Sequence, residues 1–179
     1  MEKKNMVFIA TSLDGYIADR DGGIDWLHAI PPPNDSDMGY GAFTSQIDAL
    51  LMGRTTFETV VGFDVEWPYQ KPVFVLSNKL KDIPEKAKGK AFLVNGTLEE
   101  VLEHIHQKGF QRLYIDGGAT IQSFLKEDLI DSMIITIIPK LLGGGIPLFS
   151  DLSKALDFEC TESIVYSNKV VQNTFVRKR

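Results

Sequence analysis

Five short apolar runs divide the first two thirds of the chain: MVFIA at 6–10, ALLMG at 49–53, KPVFVLSN at 71–78, KAFLVNG at 90–96 and RLYID at 112–116. Each is too short for a helix and is rich in strand formers, so each predicts a buried strand. The segments between them change period. FETVVG after residue 56, TLEEVLEHIHQKG at 97–109 and ATIQSFLKEDL at 119–129 carry apolar residues at helical spacing. Thr97 and Glu100 predict a capping box at the start of the second of these helices, and Gly109 is a natural stop for it. Strands alternating with helices imply a largely parallel sheet covered on both faces.

Beyond residue 130 the pattern changes. DSMIITIIPKLLGGGIPLF predicts a strand broken at Pro139 and then a triple-glycine loop. LDFECTESIVY and KVVQNTFVRK are two strand-like runs meeting at Ser167-Asn168, which predicts an antiparallel hairpin on the sheet edge. Residues 19–41 break all periodicity with three consecutive prolines among glycines and aspartates. Loops this long inside a compact domain are usually functional, so this one is a pocket candidate.

Composition narrows the function. A chain of 179 residues, 44% hydrophobic and 24% charged, fits one soluble globular domain spanning 1–179. A net charge of -5, with basic residues grouped only at the C-terminal RKR, argues against a nucleic-acid partner. No apolar stretch approaches bilayer length and the N-terminus does not read as a signal peptide, so no membrane role and a cytoplasmic location are expected. The single cysteine, Cys160, is expected to be a small buried hydrophobe. His104 and His106 fall two apart on a predicted helix and point to different faces, while His28 sits beside Trp26 in the long loop; no metal site is expected.

The candidate chemistry gathers at strand ends. LLMGRTTFE, FVLSNK and YIDGGATIQ each place small or hydroxylated residues just after a strand. In an open parallel sheet ligands settle outside the carboxyl ends of the strands, where helix N-termini favour anions. Arg54 with Thr55 and Thr56 can clamp a phosphate, and the same residues also suit a surface arginine beside a threonine cap. Ser77-Asn78-Lys79 reads on composition as a plain turn after a strand, and Gly117-Gly118, without a full GxGxxG, does so still more. Among the acids, Asp14 is a turn former in SLDG, and Asp35 and Asp37 follow the prolines. Asp116 closes an otherwise apolar strand, where an acid faces a cleft or is paired.

Taken in order, IATSLDGYIADRDGGIDWL, LLMGRTTFE, FVLSN, YIDGGATIQSFL and ITIIPKLLGGGIPLF resemble the dihydrofolate reductase-like fold, in the branch of the C-terminal reductase domain of bacterial riboflavin biosynthesis. The resemblance implies a three-layer α/β fold with a mixed, mostly parallel central sheet, an antiparallel C-terminal edge hairpin and helices on both faces. It implies NADPH as cofactor: Ala10 and Ile17 at the nicotinamide, with Gly53, Arg54, Thr55 and Thr56 at the pyrophosphate and 2'-phosphate. Leu76, Ser77, Asn78 and Lys79 would lie at the adenosine, and Gly117, Gly118, Ala119, Thr120 and Ile121 again at the pyrophosphate, with a cis peptide joining the glycine pair.

In the folate enzymes the residue before the glycine pair is apolar, whereas Asp116 resembles the acid of the riboflavin branch. The implied reaction is hydride transfer to a small heterocycle, similar to 5-amino-6-(5-phosphoribosylamino)uracil reductase. Asp116 would be the catalytic acid with Asp37 second, and Ser12, Trp26, Phe43 and Thr136 would wall the substrate. The zinc-deaminase motif that often precedes such reductases is missing from this sequence, so a free-standing reductase is expected, homodimeric by the same resemblance. Reduction of dihydrofolate and a non-catalytic NADPH-binding module are the alternatives.

Overall fold

The computed structural model describes residues 2–29, 36–167 and 169–179. Ten strands and four α-helices follow in chain order: β1 (Lys4–Ser12), β2 (Tyr16–Ala18), α1 (Tyr40–Gln46), β3 (Ala49–Gly53), α2 (Arg54–Gly62), β4 (Val73–Leu76), β5 (Ala91–Val94), α3 (Leu98–Gln107), β6 (Arg112–Asp116), α4 (Gly118–Lys126), β7 (Ser132–Ile138), β8 (Ile146–Pro147), β9 (Phe158–Tyr166) and β10 (Val170–Arg177). Eight form one sheet in the order β5-β4-β3-β6-β1-β7-β10-β9, while β2 and β8 form a separate two-stranded ribbon. The six strands from β5 to β7 run parallel; β10 runs antiparallel to β7, and β9 pairs antiparallel to β10 at the edge. This is the dihydrofolate reductase-like arrangement.

Successive strand residues point to opposite faces, and each face has its own core. Ala49, Leu51, Phe74, Leu113 and Ile115 pack beneath α3 and α4 with Val101, Ile105, Ile121 and Phe124. Their immediate neighbours Leu50, Met52, Val73, Val75 and Tyr114 pack on the other side with Phe43 of α1 and Phe57 and Val60 of α2. A strand buried on both sides explains why these runs show no polar alternation. Phe57, Phe74 and Phe124 are fully buried, each contributing about 2–3 kcal/mol by leaving water.

Local signals account for the element ends. Thr97 and Glu100 form the full capping box of α3, with bonds of 2.8 and 3.2 Å. The run at 71–78 supplies only four strand residues. Beyond them the Ser77 hydroxyl accepts from the Lys79 and Leu80 amides and turns the chain. Strand β7 ends at Ile138, before Pro139. The long loop contains a short 3-10 turn at Asp25–Ala29; its prolines and Asp35 lie outside the described residues, as does Asn168 of the hairpin turn. Cys160 is a correction: it is exposed, because β9 forms the sheet edge and most of its residues meet solvent on both faces.

Candidate active site

A cleft of about 700 Å³ opens at the carboxyl ends of β1, β3, β4 and β6. Ile9 and Ala10 come from β1, Gly53 from β3, Leu76 from β4 and Asp116 from β6. The first turns of α2 and α4 complete the floor with Arg54, Thr55, Thr56, Gly118, Ala119 and Thr120. Ile17 and Ala18 of β2 and Ile146 of β8 form the wall on the ribbon side. Asp14 fastens that ribbon: its carboxylate accepts from the Ser12 hydroxyl at 2.6 Å and from the Leu142 and Gly143 amides at 3.1 and 2.8 Å. The Ser12 bond, aided by the two amides, holds the Asp14 carboxyl at about 2.

The helix ends suit an anion. Neither α2, which follows Gly53, nor α4, which follows Gly117, has a side-chain cap, in contrast to α3 outside the cleft. Their leading N–H groups and positive dipole ends therefore face the same space. The backbone there leaves no room for side chains. A Cβ on Gly118 would stand 2.6 Å from Ile17 Cδ1 and one on Gly53 2.9 Å from Thr120 Oγ1; Gly117, at φ +89°, would collide with the Thr56 hydroxyl. Arg54 adds a cation and is itself paired with Glu58 at 2.8 Å. Two uncapped helix ends, a guanidinium and a glycine floor fit the phosphates of a dinucleotide.

Beside the α4 end of the cleft stands Asp116. Its Oδ1 accepts from the Gly117 amide at 2.8 Å, its sole hydrogen bond among the described residues. Burial pushes its carboxyl up to about 6, and the amide offsets only part of this. It is thus an acid able to exchange a proton near neutral pH.

The sequence-derived candidates separate into two groups. Ala10, Ile17, Gly53, Arg54, Thr55, Thr56, Leu76, Asp116, Gly117, Gly118, Ala119 and Thr120 share the cleft lining. Ser77, Asn78 and Lys79 lie outside it in the turn after β4, and Ile121 is fully buried in the core under α4. The four residues assigned to the substrate wall also lie outside. Ser12 is buried, bonding Asp14 and the Tyr16 amide; Thr136 is buried and accepts from Gln172 Nε2 at 2.9 Å. Trp26 packs with Ile138 and Val170, and Phe43 packs edge-on against Tyr114 with centroids 5.0 Å apart. Asp37 is exposed and accepts from the Gly39 and Gly41 amides at 2.9 and 2.7 Å, which ties down the entrance to α1. The Gly117-Gly118 peptide is trans, as is every peptide among the described residues.

Several further lining residues fall outside the three strand-end motifs. Val60 and Phe63 come from the end of α2, Ile24 and Leu27 from the long loop, and Tyr69 from the segment before β4. Tyr69 packs edge-on against Trp67, with centroids 5.4 Å apart. The aromatic pair in EWPYQKP, an otherwise polar stretch with two prolines, was the available hint.

Fold and cleft together define a dihydrofolate reductase-like α/β protein with a nucleotide-sized site at its strand ends. The chain belongs to the RibD C-terminal domain family, whose profile matches residues 3–172. A solved Shewanella sp. PV-4 protein, whose name gives riboflavin biosynthesis as a provisional role, is 53% identical with a TM-score of 0.94, covering 98% of this chain and 99% of its own. The Thermotoga maritima diaminohydroxyphosphoribosylaminopyrimidine deaminase/5-amino-6-(5-phosphoribosylamino)uracil reductase shares the fold at 16% identity and a TM-score of 0.75, covering 99% of this chain and 57% of its own. Enterococcus faecalis dihydrofolate reductase, solved with NADP(H), also shares the fold at 16% identity and a TM-score of 0.66, covering 98% and 97%.

Proposed function

We propose that this protein is an NADPH-dependent reductase of a small heterocycle, related in chemistry to the uracil reductase for which the Thermotoga protein is named. The observation that carries the reading is the pairing of two sites in one cleft. An anion cradle at the uncapped ends of α2 and α4 lies in the same space as a single acid pushed up to about 6. NADPH, when bound, supplies a hydride.

The chain's own residues do the rest. The α2 and α4 amides with Arg54, Thr55 and Thr56 hold the phosphates, and Ala10 and Ile17 flank the reacting end. The apolar wall of Ile9, Ile24 and Leu27 keeps water from that end. Asp116 in its protonated form delivers a proton to the heteroatom of a C=N or C=O bond while the carbon receives the hydride, leaving CH–NH or CH–OH and an aspartate that re-protonates from solvent. The geometry favours this over dihydrofolate reduction, because Asp37, the acid that reading needs, is exposed and engaged with backbone amides outside the cleft.

The test is a fluorescence titration with NADPH, followed by NADPH oxidation on pteridine, pyrimidine and simple carbonyl panels. Asp116→Asn is expected to bind NADPH as wild type does and to lose roughly 100-fold or more in turnover. The wild-type rate should fall as pH rises through about 6, where the acid loses its proton. Unchanged turnover in the variant would remove Asp116 from the mechanism. NADPH binding without turnover on any panel would leave a binding module, and no NADPH binding would end the reading.

A further inference from the structure

The charge of the Asp116 carboxylate bears on three tyrosines, and they are used differently. Tyr114, buried on β6, donates its hydroxyl to the Phe8 carbonyl at 2.8 Å. Tyr40, at the start of α1, faces a second groove lined also by Thr44, Ser45, Pro68 and Lys71. Tyr69 lines that groove and also the cleft holding Asp116, so it stands where the two meet. Packing accounts for its ring, which lies edge-on to Trp67 with an interplanar angle of 74°. Packing does not account for its hydroxyl, which has no hydrogen-bond partner among the described residues. Solvent reaches that hydroxyl in the free protein, so a ligand filling the cleft takes the solvent's place as its partner.

We propose that Tyr69 is a substrate-binding, specificity-determining residue, its hydroxyl donating to a carbonyl oxygen on the heterocycle beside the bond that Asp116 protonates. The inference rests on the reductase reading and narrows its substrate class to rings carrying a carbonyl next to the reducible bond. The electrostatics agree with it. Burial first, and the Asp116 charge second, raise the Tyr69 hydroxyl above its ordinary value, as they do those of Tyr40 and Tyr114, so it stays a donor at neutral pH. Arg54 is the cation of the cleft lining and is paired with Glu58 on α2; the described lining contains no second acid that could compete with Asp116 for the ring. The two groups thus divide the work: Tyr69 orients the ring and Asp116 moves the proton.

The experiment uses the full chain saturated with NADP+ and two probes, 5,6-diaminouracil, which carries ring carbonyls, and 4,5-diaminopyrimidine, which does not. Titration calorimetry is expected to show wild-type protein preferring the uracil probe, and Tyr69→Phe weakening it roughly tenfold or more while leaving the pyrimidine probe and NADP+ unaffected. Tyr69→Leu, which also removes the ring, should weaken both probes. A thermal melt of each variant separates these losses from unfolding. Equal affinity of Tyr69→Phe and wild type for 5,6-diaminouracil overturns the proposal, as does an equal loss for both probes in Tyr69→Phe or failure of wild type to bind the uracil probe. Failure of wild type to bind NADP+ is a different result, because it removes the reductase reading itself.

Discussion

Strand β6 meets an aspartate at each end, and the two are treated in opposite ways. At its amino end Arg112 pairs with Asp48, which also accepts from the Gln111 and Arg112 amides, all at 2.8 to 3.0 Å. Burial works against that charge, but the Arg112 guanidinium and the amides outweigh it and hold Asp48 at about 2. At its carboxyl end Asp116 has one amide and no cation, and burial pushes it to about 6. One strand therefore starts against a saturated carboxylate, which ties the entrance of β3 to β6, and ends in an under-satisfied one that can take and give a proton. The proposed reaction uses the end where the fold leaves polar groups unpaired.

The contrast is tested first at the saturated end, where the largest stability effect is expected. Asp48→Ala strands the two amides and the guanidinium of Arg112, whose Nε already lacks a partner among the described residues. Only 18% of the Asp48 side chain is exposed. Removing it should cost about 3 kcal/mol, read as a lower urea midpoint at unchanged slope. The wild-type contribution is present above the unfolded value near 3.8 and is lost as pH falls toward 2, so the gap between variant and wild type should close in acid. A loss below about 1 kcal/mol at neutral pH would show that the amino end is not the anchor.

At the other end the same kind of change should stabilise. Asp116 binds its proton more tightly folded than unfolded, so its contribution is fully present below about pH 4 and is lost as pH rises through about 6. At pH 7.5 the charged carboxylate is a liability of at most about 3 kcal/mol. Asp116→Asn keeps the shape and removes the charge, and should gain up to about 2 kcal/mol at pH 7.5 and nothing at pH 4. If the variant is less stable than wild type at pH 7.5, the acid is paired in solution and the contrast with Asp48 fails.

The fold was legible because its signals are local. The run ALLMG at 49–53 is a strand buried on both faces, and Thr97 with Glu100 announces the start of α3 without help from any distant residue. The convergence of those strand ends on one cleft was legible for a related reason: glycines and hydroxyls just after strands gather wherever the strands are parallel. Asp116 stood out because an acid ending an apolar strand requires an explanation. The position of the four residues assigned to the substrate wall, outside the cleft, was not legible. Whether Thr136 faces a ligand or Gln172 depends on which strand lies beside β7, and Ser12 is committed to a turn two residues away. Tyr69 reaches the cleft from a segment with no period, placed by tertiary packing on Trp67. Cys160 misled because an edge strand exposed on both faces breaks the link between residue type and burial.

The smallest stability effect is expected at the rim, and there it is most informative. Arg54 and Glu58 form an ion pair as short as the contacts of Asp48, at 2.8 Å, yet their side chains are 40% and 47% exposed on one helix. A solvated i,i+4 pair contributes about 0.3–0.5 kcal/mol, so Arg54→Ala should barely move the unfolding midpoint. The same change removes the cation of the phosphate cradle and should weaken NADPH roughly tenfold in a fluorescence titration, since a charge-assisted bond to phosphate is worth about 1.5–3 kcal/mol. Distance alone would rank the two ion pairs as equals. Burial and the number of further partners separate them, assigning Asp48–Arg112 to the fold and Arg54 to the ligand. A variant that keeps its NADPH affinity and loses more than about 1 kcal/mol of stability would reverse that assignment.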